Sequence, residues 1–225
     1  MTSKRRTVII VAGGNGQRMN SFIPKQFLPL KGRPVLMHTL ELFHRFDAEC
    51  TLILVLPESQ QAYWKQLCND HHFTLPHLVT NGGSSRFFSV KNGLSMAPDE
   101  GLIAVHDGVR PLVSVATVST CFDSAAAHGA AIPVTDAVES IRKITSNGSV
   151  AVDRTQYKLV QTPQVFEAGL LKAAYNQDFS AFFTDDASVV EAFGHPVTLV
   201  KGNPENIKIT TPGDLLYAEV LLKHH

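Results

Sequence analysis

Six short apolar runs, rich in β-branched residues, punctuate the chain: TVIIVA (7–12), CTLILVL (50–56), LPHLVT (75–80), LIAVH (102–106), GAAIPV (129–134) and PVTLVKG (196–202). Their apolar residues follow one another instead of alternating with polar ones, which is the pattern of strands covered on both faces. Helical periodicity fills the stretches near 35–46, 58–71, 85–97, 114–128, 167–177, 184–193 and 212–223. The last is entered through Thr211-Pro212-Gly213-Asp214, a start signal because proline suits the first turn of a helix. Strand and helix in alternation predict an α/β fold: a Rossmann-like, mostly parallel, doubly wound sheet with helices on both faces. A chain of 225 residues, 44% hydrophobic, has enough material for one domain over 1–225.

One segment departs from this rhythm. From Asp136 to Lys158, DAVESIRKITSNGSVAVDRTQYK, charges alternate with β-formers around Asn147-Gly148, which reads as a hairpin closed by a two-residue turn. Its apolar content is low for a core hairpin, so it is expected to project as an arm, and an isolated hairpin needs a partner surface.

Twenty basic residues balance twenty acidic ones, which argues against a nucleic acid or a membrane held by bulk charge. An anionic ligand must be met by local cations. Cys50, Cys68 and Cys121 are odd in number, far apart and without a Cys-x-x-Cys pair, so neither a disulfide framework nor a zinc site is signalled and a cytoplasmic location is expected. The apolar run near the N-terminus is too short for a secretory signal, and no segment approaches a membrane span. The closing His224-His225, native or the stub of a tag, is set aside.

Ligands of a doubly wound sheet bind where strand C-termini meet loops, and the first such loop here is AGGNGQRM, with Ala12, Gly13, Gly14, Asn15 and Gly16. Glycines let backbone N–H groups approach phosphates without a Cβ in the way. A dinucleotide fingerprint would require glycine where Met19 stands, and a Walker loop would require Gly-Lys-Ser/Thr where Gly16 is followed by Gln17-Arg18. Both meanings fall away. Two cations, Arg18 and the Lys25 of Pro24-Lys25-Gln26-Phe27, flank the loop, an arrangement suited to a triphosphate being split, because they can neutralise charge on the α-phosphate and on departing pyrophosphate.

AGGNGQRM with PKQF resembles the nucleotidyltransferases that join nucleoside triphosphates to phosphorylated sugars and polyols. The segment IAVHDGVR (103–110) followed by Pro111, together with Asp153-Arg154, Gln161-Thr162-Pro163-Gln164, Thr184-Asp185 and Asn206-Ile207-Lys208, resembles the 2-C-methyl-D-erythritol 4-phosphate cytidylyltransferases of the non-mevalonate isoprenoid pathway. That resemblance implies CMP transfer from CTP to a polyol phosphate, with Arg18 and Lys25 as catalytic cations. It implies nucleotide contacts from Ala12 to Gly16 and from Gly82, Ser89 and Lys208. Acceptor contacts are implied from Asp107, Arg110, Arg154, Thr162 and Lys208, with Mg²⁺ held by Asp107. It further implies a homodimer in which each arm carries Arg154 to its neighbour's site. His106 is expected to pack or to make a supporting hydrogen bond.

Two positions depart from the family pattern. Where the family often has Asp-Thr, with the threonine on the acceptor phosphate, this chain has Asp136-Ala137, and Asp186 stands where many relatives carry glutamate. The rival readings are a cytidylyltransferase for another polyol phosphate such as ribitol 5-phosphate, a non-catalytic nucleotide-binding module and, more distantly, a dehydrogenase.

Overall fold

The computed structural model describes residues 5–14 and 23–222. In chain order the elements begin with β1 (Arg6–Val11), a 3-10 turn at Lys25–Phe27, β2 (Pro29–Leu30), β3 (Arg33–Pro34), α1 (Val35–Phe46), β4 (Thr51–Leu56), α2 (Glu58–Asp70) and β5 (Leu78–Asn81). They continue through α3 (Arg86–Met96), β6 (Leu102–Asp107), α4 (Val115–His128), β7 (Ala130–Asp136), β8 (Arg142–Thr145), β9 (Gly148–Ala151), β10 (Lys158–Val160) and β11 (Gln164–Glu167). The chain closes with α5 (Ala168–Ala174), α6 (Asp186–Ala192), β12 (Thr198–Lys201) and α7 (Pro212–Leu221).

The main sheet runs β10-β7-β11-β6-β1-β4-β5, with β12 added alongside β7. Strands β5, β4, β1 and β6 are mutually parallel, as are β7 and β12, whereas β11 lies antiparallel between β6 and β7 and β10 antiparallel on β7. Successive residues of β1 face opposite sides: Val8 and Ile10 pack with Leu36, Leu40 and Phe43, while Ile9 packs with Val90, Leu94 and Ile103. The sheet is therefore covered on both faces, as the continuous apolar runs require.

Three expectations need adjustment. The helix expected over 167–177 is confined to Ala168–Ala174: Glu167 ends a strand, Gln164–Glu167, whose Val165 and Phe166 are buried between β6 and β7, and Tyr175 caps the helix. The strand expected over 75–80 is β5 and begins at Leu78, past Pro76, which has no N–H to give a ladder. The hairpin turns at Ser146-Asn147, one residue early, with Gly148 at φ 121 closing the pair with Thr145.

The arm itself is as expected. All eight residues of β8 and β9 are exposed, and they pair only with each other. Its root is fixed where Asp136 of β7 stands opposite Lys158 of β10 and the two side chains form an ion pair.

Register sets the geometry of the sheet's C-terminal edge. Val11 stands level with Val55 and Asp107, and Leu56 with Asn81, so the loops after β1, β4, β5 and β6 leave side by side. Helix α7 opens on Thr211, whose hydroxyl accepts from Asp214 N–H in a capping box, confirming the start signal. Among the described residues no helix is long and apolar enough to cross a membrane.

Candidate active site

The neighbouring loops border a cavity of about 280 Å³ lined by residues of the glycine loop (Ala12, Gly13, Gly14), Lys25, Gln26, the stretch Gly83–Arg86 with Ser89, Asp107 and Lys208. Backbone bonds hold the rim: Ala12 N–H donates to Val55 O at 3.0 Å, Gly82 N–H to Leu56 O at 2.7 Å and Gly108 N–H to Val11 O at 2.9 Å. Gly14 comes close to the lysine stem, since a Cβ there would lie 3.6 Å from Lys25 Cε. Gln26 is buried, and its Nε2 donates to Ala12 O at 2.8 Å, tying the turn that carries Lys25 to the start of the glycine loop.

Asp107 ends β6 at the cavity wall. Its Oδ2 lies 3.1 Å from both Arg110 Nε and Lys208 Nζ. Burial alone would raise the pKa of this carboxyl, but Lys208, Arg86 and Arg110 outweigh that cost and hold it well below the usual carboxylate range. It is an anion at any working pH. Arg110 also donates from Nη1 to Asn206 O at 2.7 Å, so the same guanidinium braces the loop before Lys208.

Behind Asp107 the hydrogen bonds fix one histidine tautomer. His106 Nε2 lies 3.0 Å from Arg110 O, which only accepts, so the ring proton sits on Nε2. Nδ1 is then an acceptor, and Thr162 Oγ1 at 3.0 Å donates to it while accepting from Asp107 N–H at 3.1 Å. Burial pushes the His106 pKa down to about 4, keeping the ring neutral. This agrees with the supporting role expected of His106.

The opposite wall is the loop into α3. Gly83 packs so closely on the helix that a Cβ would fall 2.4 Å from Phe88 Cβ, so only glycine fits. Ser89 Oγ accepts from Gly83 N–H at 3.0 Å and donates to Ser85 O at 2.8 Å, closing the loop on itself. Arg86 grips Asp186 through two bonds of 2.8 and 2.6 Å, and Tyr175 donates to the same carboxylate at 2.6 Å. Asp186 is placed in turn by its neighbour Asp185, which caps α6 and accepts from Gln164 Nε2 at 2.9 Å.

Residues 7–224 match the family profile of the 2-C-methyl-D-erythritol 4-phosphate cytidylyltransferases. This chain belongs to that family. The cytidylyltransferase of Bacteroides thetaiotaomicron is 60% identical over 218 residues, covering 97% of this chain and all of the relative. That of Porphyromonas gingivalis is 52% identical over 221 residues, covering 97% of this chain and 98% of the relative. The crystal structure of the Thermus thermophilus cytidylyltransferase superposes with a TM-score of 0.80 at 32% identity, covering 99% of this chain and 100% of that one. The 4-diphosphocytidyl-2C-methyl-D-erythritol synthase of Anaerococcus prevotii gives a TM-score of 0.82 at 28% identity, covering 98% of this chain and 96% of that one.

Of the positions that the cytidylyltransferase resemblance singled out, Ala12, Gly13, Gly14, Lys25, Ser89, Asp107 and Lys208 share the cavity lining, with Gly82 adjoining it. Arg110 and Thr162 stand behind Asp107 and hold it. Arg154 lies apart from these residues, on the exposed turn at the root of the arm, where it donates to Val138 O. Asn15, Gly16 and Arg18 fall outside the described residues. Sequence reasoning gave no role to Gln26, although PKQF was quoted, nor to the ion pair of Arg86 with Asp186, whose partners are 100 residues apart.

Among the described residues no three His, Cys, Asp or Glu side chains converge as a metal cage. Asp107 offers one hard carboxylate at the cavity wall. That donor set fits Mg²⁺, which keeps several waters and takes phosphate oxygens beside one or two carboxylates.

The neutral His106 makes stability depend on pH. Its folded pKa, near 4, lies below the unfolded value of 6.5, so its contribution is whole above 6.5 and is lost as pH falls toward 4. Denaturant titrations should show wild type losing on the order of 3 kcal/mol more than His106→Gln between pH 7 and pH 4. Equal losses in the two proteins would contradict a buried neutral imidazole.

Proposed function

We propose that this protein transfers CMP from CTP to 2-C-methyl-D-erythritol 4-phosphate, forming 4-diphosphocytidyl-2-C-methyl-D-erythritol and pyrophosphate in isoprenoid precursor synthesis. The observation that carries this reading is membership of the family over residues 7–224, with the glycine loop, Lys25, Asp107 and Lys208 around one cavity. The acceptor is a phosphate monoester, largely dianionic near neutral pH, and so already a nucleophile. One of its oxygens attacks the α-phosphorus of CTP in line, forming a new P–O bond while the bond from the α-phosphorus to the bridging oxygen of pyrophosphate breaks. No general base is needed. The obstacle is repulsion between two anions, and cations answer it.

Lys25, together with Arg18 from the glycine loop, stabilises charge on the α-phosphate and the departing pyrophosphate. Lys208 draws the acceptor phosphate toward the donor, and Asp107, braced from behind by Arg110, keeps that cation in register. Asp107 would also hold Mg²⁺, whose chemistry is to neutralise the triphosphate and make pyrophosphate a better leaving group. The narrow space at Gly82, Gly83 and Ser89 suits a pyrimidine. The free state of Cys50, Cys68 and Cys121 supports action in the reducing cytoplasm.

The protein acts as a homodimer in which the arm brings Arg154 to the partner's acceptor phosphate. The support is an exposed hairpin arm whose side chains, among them Val138 at 76% and Ile144 at 78% exposure, find no cover among the described residues.

Pyrophosphate release with CTP and a panel of acceptors tests the reaction. Methylerythritol 4-phosphate should exceed ribitol 5-phosphate by at least about tenfold in kcat/KM. The reverse preference would reassign the acceptor and give Ala137, which lacks the family threonine's hydroxyl, a meaning.

The shared site has its own test. Lys25→Ala should lose about 10²- to 10³-fold in turnover. Mixed one to one with Arg154→Ala, it should recover about a quarter of wild-type activity, since half the dimers are mixed and each holds one intact site. No recovery in verified mixed dimers would place Arg154 in its own chain's site.

A further inference from the structure

Helix α2 lies outside the cavity, yet its first turn touches both of the cavity's walls. Of its thirteen residues only Trp64 is buried, so packing alone fixes this helix weakly. Gln60 and Gln61 sit side by side in that turn. Consecutive helical residues diverge by about 100° around the axis, so the two side chains reach in different directions. Gln60 Oε1 accepts from Gln26 Nε2 at 2.6 Å. The same Gln26 nitrogen donates to Ala12 O at 2.8 Å, and because a carbonyl only accepts, this fixes which end of the Gln26 amide faces the two partners. Gln61 Nε2 donates to Asn81 Oδ1 at 2.7 Å, directly before Gly82, with Leu56 O a longer contact at 3.5 Å. Asn81 O in turn accepts from Asn92 Nδ2 of α3 at 2.9 Å.

We infer that Gln60 and Gln61 form a bracket that sets the spacing between the glycine loop with Lys25 on one side and the Gly82–Ser89 loop on the other. They are positioning residues for the nucleotide: neither lines the cavity, and both act through residues that line or adjoin it. The Gln60 arm dominates, because its bond is partly buried and ends on a side chain that itself lines the cavity, whereas the Gln61 bond is exposed. The consequence is selective. Loosening the bracket alters the fit of CTP and leaves the acceptor side, built on Lys208 and the arm's Arg154, as it was.

This inference rests on the reading of CTP as substrate, and steady-state kinetics on the full-length protein separates the two. Gln60→Met keeps length and removes the acceptor; it should raise KM for CTP about fivefold, the worth of roughly one partly buried hydrogen bond, with KM for the acceptor unchanged. The double variant Gln60→Met/Gln61→Met should raise it further, to about tenfold. Gln66→Met, exposed on the same helix, should behave as wild type. An unchanged KM for CTP in Gln60→Met, or equal rises for both substrates, overturns the bracket, and a double variant no worse than the single removes its Gln61 arm. If wild type fails to turn over CTP, the functional reading falls first.

Discussion

A carboxylate held inside a cluster of cations organises this end of the molecule. Asp107 is nearly buried at the last residue of β6, and its charge persists there because Lys208, Arg110 and, farther off, Arg86 offset the cost of leaving water. Each of those cations belongs to a different part of the chain. Through Asp107 the end of the central strand, the loop before α7 and the start of α3 are referred to one point. The neutral His106 and Thr162 supply the backing, so that the β6 backbone cannot rotate the carboxylate away.

The sheet makes this arrangement possible. Parallel strands deliver their C-termini to one edge, and the register of β1 with β4 and β6 places Ala12, Leu56 and Gly108 one step beyond paired residues. Short backbone bonds across that edge leave little slack. What remains between the loops is a cavity whose lining includes the cations Lys25, Arg86 and Lys208, which suits a ligand carrying phosphates. The strands give rigidity, and the loops give the chemistry.

Much of this was legible in the residues. The continuous apolar runs marked the parallel strands, Thr211-Pro212 marked the entry to α7, and the absence of Gly-Lys-Ser/Thr removed the commonest phosphate loop. Strand β11 was missed because QVFE is short and leads without a break into AGLLKAA, whose helical periodicity is the stronger local signal; its strand character comes from pairing with β6 and β7. The Arg86–Asp186 pair was hidden for a similar reason, since nothing near either residue announces a partner 100 positions away. The effect of the shorter Asp186, opaque in sequence, becomes concrete: its carboxylate meets Arg86 with both oxygens and still accepts from Tyr175. Thr162, read as an acceptor ligand, has its hydroxyl engaged on both sides by the protein.

The account stands on the charge of Asp107, and Asp107→Asn removes that charge while keeping the shape. CTP-dependent pyrophosphate release should fall by about 10²-fold or more, with circular dichroism showing a folded protein, because the cations lose their common anchor. A folded variant with turnover within about threefold of wild type would show that the site is organised by something else.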